Sequence, residues 1–353
     1  MIPFYDPKKS YYENFEEGPF GIFADGKVFK DAGEPQEEIF GHKVYLPIGI
    51  PAGPLLNGKF IKAALDKGFD LPMQKTVRTR ERKSHPWPNV LSVKIDGYLD
   101  PENTDQKLVA DGNFTQPISI TNSFGNPSYN PDVWQPDISE AVKYAKKGQL
   151  VSASFEGTNW DQGSLQDYID DWILGARLLK ETGVGFIEMN FSCPNEGTTN
   201  LLCFDVDKSQ KIAAAIKNEI GDTPLVVKMA YFEAKLLKNF ITALGNIVDG
   251  FAAINTISTT IVDSKGEQAL PGEGRLRSGV CGHAVKKAGV TMTRRMKKLR
   301  EELEMKFTII GVGGVTVPED YFEYRDAGAD AVMSATGAMW NPGLAQDIKK
   351  AHH

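Results

Sequence analysis

From position 44 onward the chain alternates short apolar runs with longer stretches in which apolar residues recur every three or four positions. The short runs, bounded by Gly, Pro or Asp, read as buried strands, and the longer stretches read as amphipathic helices. Nine runs qualify as strands, at 45–50, 71–75, 117–121, 150–154, 186–190, 225–229, 250–255, 308–311 and 330–333. Helical periodicity covers 138–147, 165–182, 207–220, 233–244, 291–302 and 318–327. Strand and helix in alternation build a parallel sheet, and eight βα units close it into a (β/α)8 TIM barrel, so one run is surplus. The run at 117–121 is set aside, because no helix separates it from the Pro- and charge-rich segment before it. The chain is thus an α/β barrel over 45–351, with a long insertion at 76–136 after the second barrel strand that lies over the barrel mouth.

The first 44 residues carry many aromatics, among them Phe4, Tyr5, Tyr11, Tyr12, Phe15, Phe20 and Phe23, broken up by Pro3, Pro7, Gly18, Pro19, Gly21 and Gly26. No helical stripe survives that punctuation, so this arm is expected to be extended and packed across the barrel. His352 and His353 look like the remnant of a purification tag and are left out of the fold.

Composition narrows the function. With 46 acidic against 40 basic residues the formal charge is −6, which opposes a nucleic-acid partner. No run approaches the roughly 20 apolar residues of a membrane span. Cys193, Cys203 and Cys281 are three thiols without paired spacing, and no signal segment opens the chain, so a cytoplasmic protein is expected. Three thiols also fall short of the roughly four that a cysteine-ligated zinc or iron–sulfur site uses, so no metal is expected.

In a barrel of this kind the chemistry sits where the strands end. The first predicted strand runs into Pro51-Ala52-Gly53, the second ends in Gln74-Lys75-Thr76, the fourth in Asn190-Phe191-Ser192-Cys193-Pro194-Asn195, the fifth in Lys228 and the sixth in Asn255-Thr256. The seventh gives Gly311-Val312-Gly313-Gly314 and the eighth Ser334-Ala335-Thr336-Gly337. Glycines and small residues on these last two turns suit a phosphate cradle, where backbone N–H groups must reach the oxygens with no Cβ in the way. Lys75 and Lys228 point inward, where an ammonium needs an anionic partner. Asn122, Asn190, Asn195 and Asn255 each offer an amide and a carbonyl, the pair of functions that reads a flat ring of alternating N–H and C=O groups.

The segment Asn190-Phe191-Ser192-Cys193-Pro194-Asn195 resembles the Asn-x-Ser-Cys-Pro-Asn signature of dihydroorotate dehydrogenases, and Asn122-Ser123-Phe124-Gly125-Asn126-Pro127 is similar to that family's Asn-Ser-x-Gly-x-Pro loop. The likeness continues in order through Lys75, Lys228, Asn255-Thr256, Gly279-Val280-Cys281-Gly282, Gly311–Gly314 and Ala335-Thr336. It implies an FMN-dependent barrel that oxidises dihydroorotate to orotate, with Cys193 as the base that takes a proton while a hydride leaves the neighbouring carbon. It further implies substrate contacts from Lys75, Asn122, Phe124, Gly125, Asn126, Asn190, Asn195, Asn255 and Thr256. Contacts to FMN would come from Ala52, Gly53, Lys75, Thr76, Asn122, Asn190, Lys228, Asn255, Gly279, Cys281, Gly282, Gly313, Gly314, Ala335 and Thr336. Cys281 and Cys203 are expected to be packing residues.

Two departures stand out. The family's Gly-Asn-Pro-x-Pro-Arg stretch reads Ser84-His85-Pro86-Trp87-Pro88-Asn89, without its arginine, and the Gly-Gly-Ile-Gly-Gly run reads Ser278-Gly279-Val280-Cys281-Gly282. A cysteine at the base position and the lysine at 75 resemble the soluble class rather than the membrane-linked one. Within that class the long arm and insertion favour a self-contained homodimer reoxidised by fumarate over an enzyme that works with an NAD-linked partner chain. Competing functions are a tRNA dihydrouridine synthase, which the acidic charge opposes, an oxidoreductase for another dihydropyrimidine or cyclic amide, and a flavin-binding barrel without catalysis.

Overall fold

The computed structural model describes residues 2–103, 105–192 and 201–352. Eight parallel strands close a barrel: β1 Ile48–Ile50, β2 Leu71–Val77, β3 Ser152–Phe155, β4 Ile187–Asn190, β5 Leu225–Met229, β6 Gly250–Ala253, β7 Thr308–Val312 and β8 Ala331–Met333. Each is followed by an outer helix, in order α1 Gly58–Asp66, α2 Pro131–Tyr144, α3 Leu165–Glu181, α4 Val206–Ile220, α5 Ala234–Leu244, α6 Lys286–Glu302, α7 Pro318–Asp326 and α8 Leu344–His352. The helices bury one stripe against the sheet. In α4 that stripe is Ile212, Ala213, Ile216 and Ile220; the Asp205 side chain caps the first turn by accepting from Lys208 N, and Gly221 at φ 61° stops the last.

The amino-terminal end of the barrel is plugged by a hairpin, Glu37–Ile39 against His42–Val44. Its two-residue turn, Phe40-Gly41, has both φ angles positive, the twist that matches paired strands. Ile39 and Val44 join Leu71, Met73, Val226, Ala252 and Ile310 in one buried cluster. The Phe40 ring lies 5.1 Å from that of Phe186.

Over the other end sits a second, smaller closed sheet of five short strands. Three of them, Ser92–Lys94, Lys107–Asp111 and Ser119–Asn122, come from the β2–α2 connection, and two, Ile257–Val262 and Arg277–Gly282, from the β6–α6 connection. The surplus run near 117–121 is therefore a real strand outside the barrel, paired through Thr121 with Val280. The insertion that the sequence placed at 76–136 needs correction at both ends. β2 continues to Val77, and α2 begins at Pro131, whose missing N–H is harmless at a helix start. The expectation of an arm without helix is also corrected: Tyr11–Glu17 is a short helix held by a reciprocal Ser10/Glu13 capping box. The arm does pack on the barrel, with Phe4, Tyr5, Tyr11 and Phe23 buried in the cluster that includes Ile48, Phe60 and Met339. His352 is the last residue of α8, its ring stacked at 6.2 Å on Phe322. No helix among the described residues is long and apolar enough to cross a membrane.

Candidate active site

A deep cavity opens between the carboxyl ends of the barrel strands and the small sheet, about 1210 Å³ when the open space at its mouth is counted. Its walls hold Ala52 and Gly53 after β1, Lys75 and Thr76 at the end of β2, Asn190 at the end of β4, Lys228 in β5, and Asn255 and Thr256 after β6. Gly313 and Gly314 after β7, and Ala335 and Thr336 after β8, close one side. The small sheet contributes Asn122, Phe124, Asn126, Cys281 and Gly282. Of the residues expected from the sequence, Gly125 and Gly279 are not part of this lining, and Cys193 and Asn195 lie outside the described residues.

Lys75 is buried, its Nζ donating to Pro127 O at 2.9 Å and lying 5.7 Å from the centre of the Tyr11 ring. Lys228 is also buried and faces Glu188, Nζ to Oε2 at 3.4 Å. Glu188 and Asn190 are two apart on β4 and so share a face. The other carboxylate oxygen of Glu188, and the hydroxyl of Thr256, are buried with no hydrogen-bond partner among the described residues.

The asparagines are bound to one another. Asn255 Nδ2 donates to Asn190 Oδ1 at 3.2 Å and to Ser192 O at 3.0 Å, and Asn255 Oδ1 accepts from Thr256 N at 3.0 Å. Asn190 Nδ2 donates to Glu156 Oε2 at 3.2 Å, and Asn126 donates to the same oxygen. Glu156 is in turn paired with the fully buried Arg78 at 2.7 Å. Asn122 ends the strand Ser119–Asn122 and pairs there with Gly279.

The loop after Asn122 is shaped by a turn at Gly125, with φ at 75°, where a Cβ would sit 2.5 Å from His85 Nε2. Behind it lies a guanidinium that the sequence did not single out. Arg275, on the β6–α6 connection, donates to Pro86 O at 2.8 Å, Pro88 O at 3.2 Å and Ser123 O at 2.9 Å. The 84–89 segment, which has no arginine of its own, is thereby tied to the loop after Asn122 by an arginine from elsewhere in the chain.

The turns after β7 and β8 are tightly built. Gly314 has φ at 70°, and a Cβ there would lie 2.8 Å from the backbone N of Lys286, while Asp320 accepts from Thr316 N at 2.8 Å and pairs with Lys286 at 2.8 Å. Cys281 accepts from the Thr336 hydroxyl at 3.5 Å, and burial pushes its thiol up to about 11. Burial pushes Cys203 up to about 12. Neither is a ready nucleophile. Glu156, Glu188, Arg78 and Arg275 are the functional neighbours that sequence reading missed; of these, only Glu188 carried a signal, its two-residue spacing from Asn190. Tyr5 was read only as part of the arm, yet it also lines the cavity. No cluster of His, Cys, Asp or Glu among the described residues is placed to hold a metal ion.

Comparison with known proteins agrees with this arrangement. Residues 113–351 match the family model described as dihydroorotate dehydrogenase. A dihydroorotate dehydrogenase of Dictyostelium discoideum is 35% identical over 97% of this chain and 95% of its own. The catalytic subunit of a dihydroorotate dehydrogenase B (NAD(+)) from Maridesulfovibrio salexigens is 31% identical over 49% of this chain and 54% of its own. The PreA subunit of an NAD-dependent dihydropyrimidine dehydrogenase of Escherichia coli is 34% identical over 54% of this chain and 45% of its own. A crystal structure of the Eimeria tenella enzyme DHODH with ferulenol superposes with a TM-score of 0.70 at 18% identity, over 93% of this chain and 87% of that one, a likeness of fold. The barrel, its polar strand ends and a relative aligned along nearly its whole length lead to one conclusion: the chain belongs to the dihydroorotate dehydrogenase family, oxidoreductases that act on a carbon–carbon bond.

Proposed function

We propose that the protein oxidises (S)-dihydroorotate to orotate with FMN as its flavin. The observation that carries this reading is the convergence of two buried lysines, Lys75 and Lys228, and four amides, Asn122, Asn126, Asn190 and Asn255, from separate strand ends and loops around one cavity. The cavity's chemistry fits a flavin. The unpartnered Thr256 hydroxyl and Glu188 oxygen are polar atoms in wait of a partner, and a Cβ at Gly53 would meet no protein atom within 4 Å, which leaves room for a ring against that backbone. The turns at Gly313-Gly314 and Ala335-Thr336, with Gly282, would hold its phosphate, and Lys228 would face its electron-rich ring. When bound, FMN supplies a two-electron acceptor.

The protein's own residues then orient the substrate and move a proton. Asn122 and the Asn190–Asn255 pair, with Asn195, offer amide N–H and C=O groups to the ring, and Lys75 offers positive charge to its anionic groups. Cys193, next in sequence after Ser192, takes the proton from the carbon beside the carbonyl. A thiol with an ordinary pKa of about 8.5 becomes a usable base when cations depress it. The arm supports a self-contained homodimer, reoxidised by fumarate, because it covers the lid: Pro7 O accepts from Trp87 Nε1 at 3.2 Å and the Tyr12 hydroxyl accepts from Ser84 N at 3.1 Å. Unpaired thiols at Cys203 and Cys281 support a cytoplasmic site.

The test is an anaerobic visible spectrum before and after adding dihydroorotate. Bleaching near 450 nm, roughly where oxidised flavins absorb, supports both cofactor and substrate, and fumarate and NAD⁺ are then compared as reoxidants. A second reading, a dihydropyrimidine without the carboxylate, is favoured by the similarity to the E. coli PreA subunit. Bleaching by dihydrouracil and not dihydroorotate would establish it. A colourless protein that cannot be loaded with FMN refutes both.

A further inference from the structure

Glu156 follows β3 directly and is buried, yet it has no part in the chemistry described above. Its carboxylate is a meeting point. Arg78 donates to Oε1 at 2.7 Å, and the side-chain amides of Asn126 and Asn190 both donate to Oε2. Arg78 is itself buried and also bonds Thr158 Oγ1 and Asn126 O, so the pair is shielded from water. A carboxylate paired with a guanidinium can only accept. Both asparagines must therefore turn their NH2 groups toward it. For Asn190 this leaves Oδ1 on the far side, where it accepts from Asn255 Nδ2 at 3.2 Å, and Asn255 in turn directs Oδ1 at Thr256 N, 3.0 Å away. A single negative charge thus sets the direction of a relay of amides.

We propose that Glu156 is a positioning residue that fixes which edge of Asn126, Asn190 and Asn255 is donor and which is acceptor, and so the order of donors and acceptors offered to a cyclic-amide substrate. A primary amide is nearly symmetric in shape, and only its partners orient it. With an ionised acceptor at one end, one orientation is allowed; with a neutral amide there, either fits. A flipped asparagine presents a carbonyl where the ring needs an N–H, which loses one bond and sets two acceptors together. Glu156 also ties the loop bearing Asn122 and Asn126 to the end of β4, so both walls of the cavity hold one register. This inference rests on the cyclic-amide reading of the site and deepens it.

The experiment compares wild type, Glu156→Gln and the double variant Arg78→Met/Glu156→Gln, each as the full chain loaded with FMN. Glu156→Gln keeps the shape and removes the charge. The double variant leaves no lone buried cation and guards against simple misfolding. Orotate binding by calorimetry should weaken ten-fold or more in both variants. KM for dihydroorotate should rise in parallel, with kcat at saturation changed less than about three-fold. Equal orotate affinity in wild type and Glu156→Gln overturns the proposal. Failure of wild type to bind orotate refutes the substrate reading alone, and crystal structures of the variants then decide the relay. Loss of the Asn190–Asn255 contact supports the proposal, and an unchanged relay overturns it.

Discussion

Arg275 makes a test of how the lid is held. Its side chain reaches across 152 residues to Ser123 and gathers the carbonyls of Pro86, Pro88, Pro271 and Ser123 onto one buried guanidinium. Hydrogen bonds from a charged donor contribute roughly 1.5–3 kcal/mol each. Pro86 is exposed and its carbonyl can turn to water, whereas Ser123 is buried and its carbonyl cannot. Counting mainly that buried acceptor and a fraction of the rest, Arg275→Ala should destabilise the lid by about 3 kcal/mol. Spread over global unfolding of 353 residues, whose entropy is about 0.7 kcal/mol/K, this lowers the melting temperature by only about 4 °C. Locally the same energy raises the open population of the lid by roughly a hundred-fold. The assay is amide hydrogen exchange resolved to peptides covering 84–91 and 119–125, together with KM for dihydroorotate. Faster exchange confined to those peptides and a raised KM are expected. Arg275→Lys should fall between, since an ammonium keeps the charge but not the planar fork. Unchanged exchange there and an unchanged KM would refute the clamp.

Three further outcomes are expected. Because burial pushes the thiols of Cys281 and Cys203 up to about 11 and about 12, alkylation of the native protein at pH 8 should stop at Cys193, and mass spectrometry that finds early labelling of either buried thiol contradicts this. Gly125→Ala puts a Cβ 2.5 Å from His85 at a φ of 75°, a strain of roughly 1–2 kcal/mol before the clash, so kcat/KM should fall about ten-fold or more. The double variant with His85→Ala should recover part of that loss, and no recovery would mean the ring is not the obstacle. For Asp320, burial acts to raise the carboxyl, but Lys286 and the N–H groups of Thr316 and Val317 outweigh it and hold it below its ordinary range. A depressed carboxylate stabilises the fold above its unfolded pKa, about 3.9, and that stability is lost as pH falls through the lower folded value. The stability gap between wild type and Asp320→Asn should be level from about pH 7 to pH 5 and close below about pH 4; urea titrations that show a gap still level at pH 3 would exclude the ion pair as its source.

The barrel was legible because parallel strands covered on both faces read as continuous apolar runs, as β5 and β7 do, with nearly every residue buried. The small sheet was not. Lys107–Asp111 alternates exposed and buried positions over only five residues inside a charge-rich segment, and Ile257–Val262 is rich in Ser and Thr, so neither makes an apolar run. The helical stretch expected from 138 starts earlier, at Pro131, where Asn130-Pro131 is the better start signal, and carries Pro136 in its interior. The helix Tyr11–Glu17 is too short for periodicity to register, and only its capping box announced it.

At the site, the boundary of legibility has a physical cause. That Lys75, Lys228, Asn190, Asn255, Thr256 and the glycines after the last two barrel strands line the cavity could be read because their placement follows from position, at or near the end of a strand whose end is set by local pattern. Glu156, Arg78 and Arg275 could not, because each acts through a partner remote in sequence: Arg78 reaches 78 residues to Glu156, and Arg275 spans 187 to Pro88. The missing lid arginine has the same cause. Judged by its own segment, 84–89 has no arginine to hold it. In three dimensions a guanidinium from the other excursion ties the same segment to the loop of Asn122. The groups that line the cavity are therefore written in short motifs, while the groups that hold them are written in pairs that no local pattern joins. Substitution of the second kind should disturb this enzyme's selectivity for its ring before it disturbs the fold that carries it.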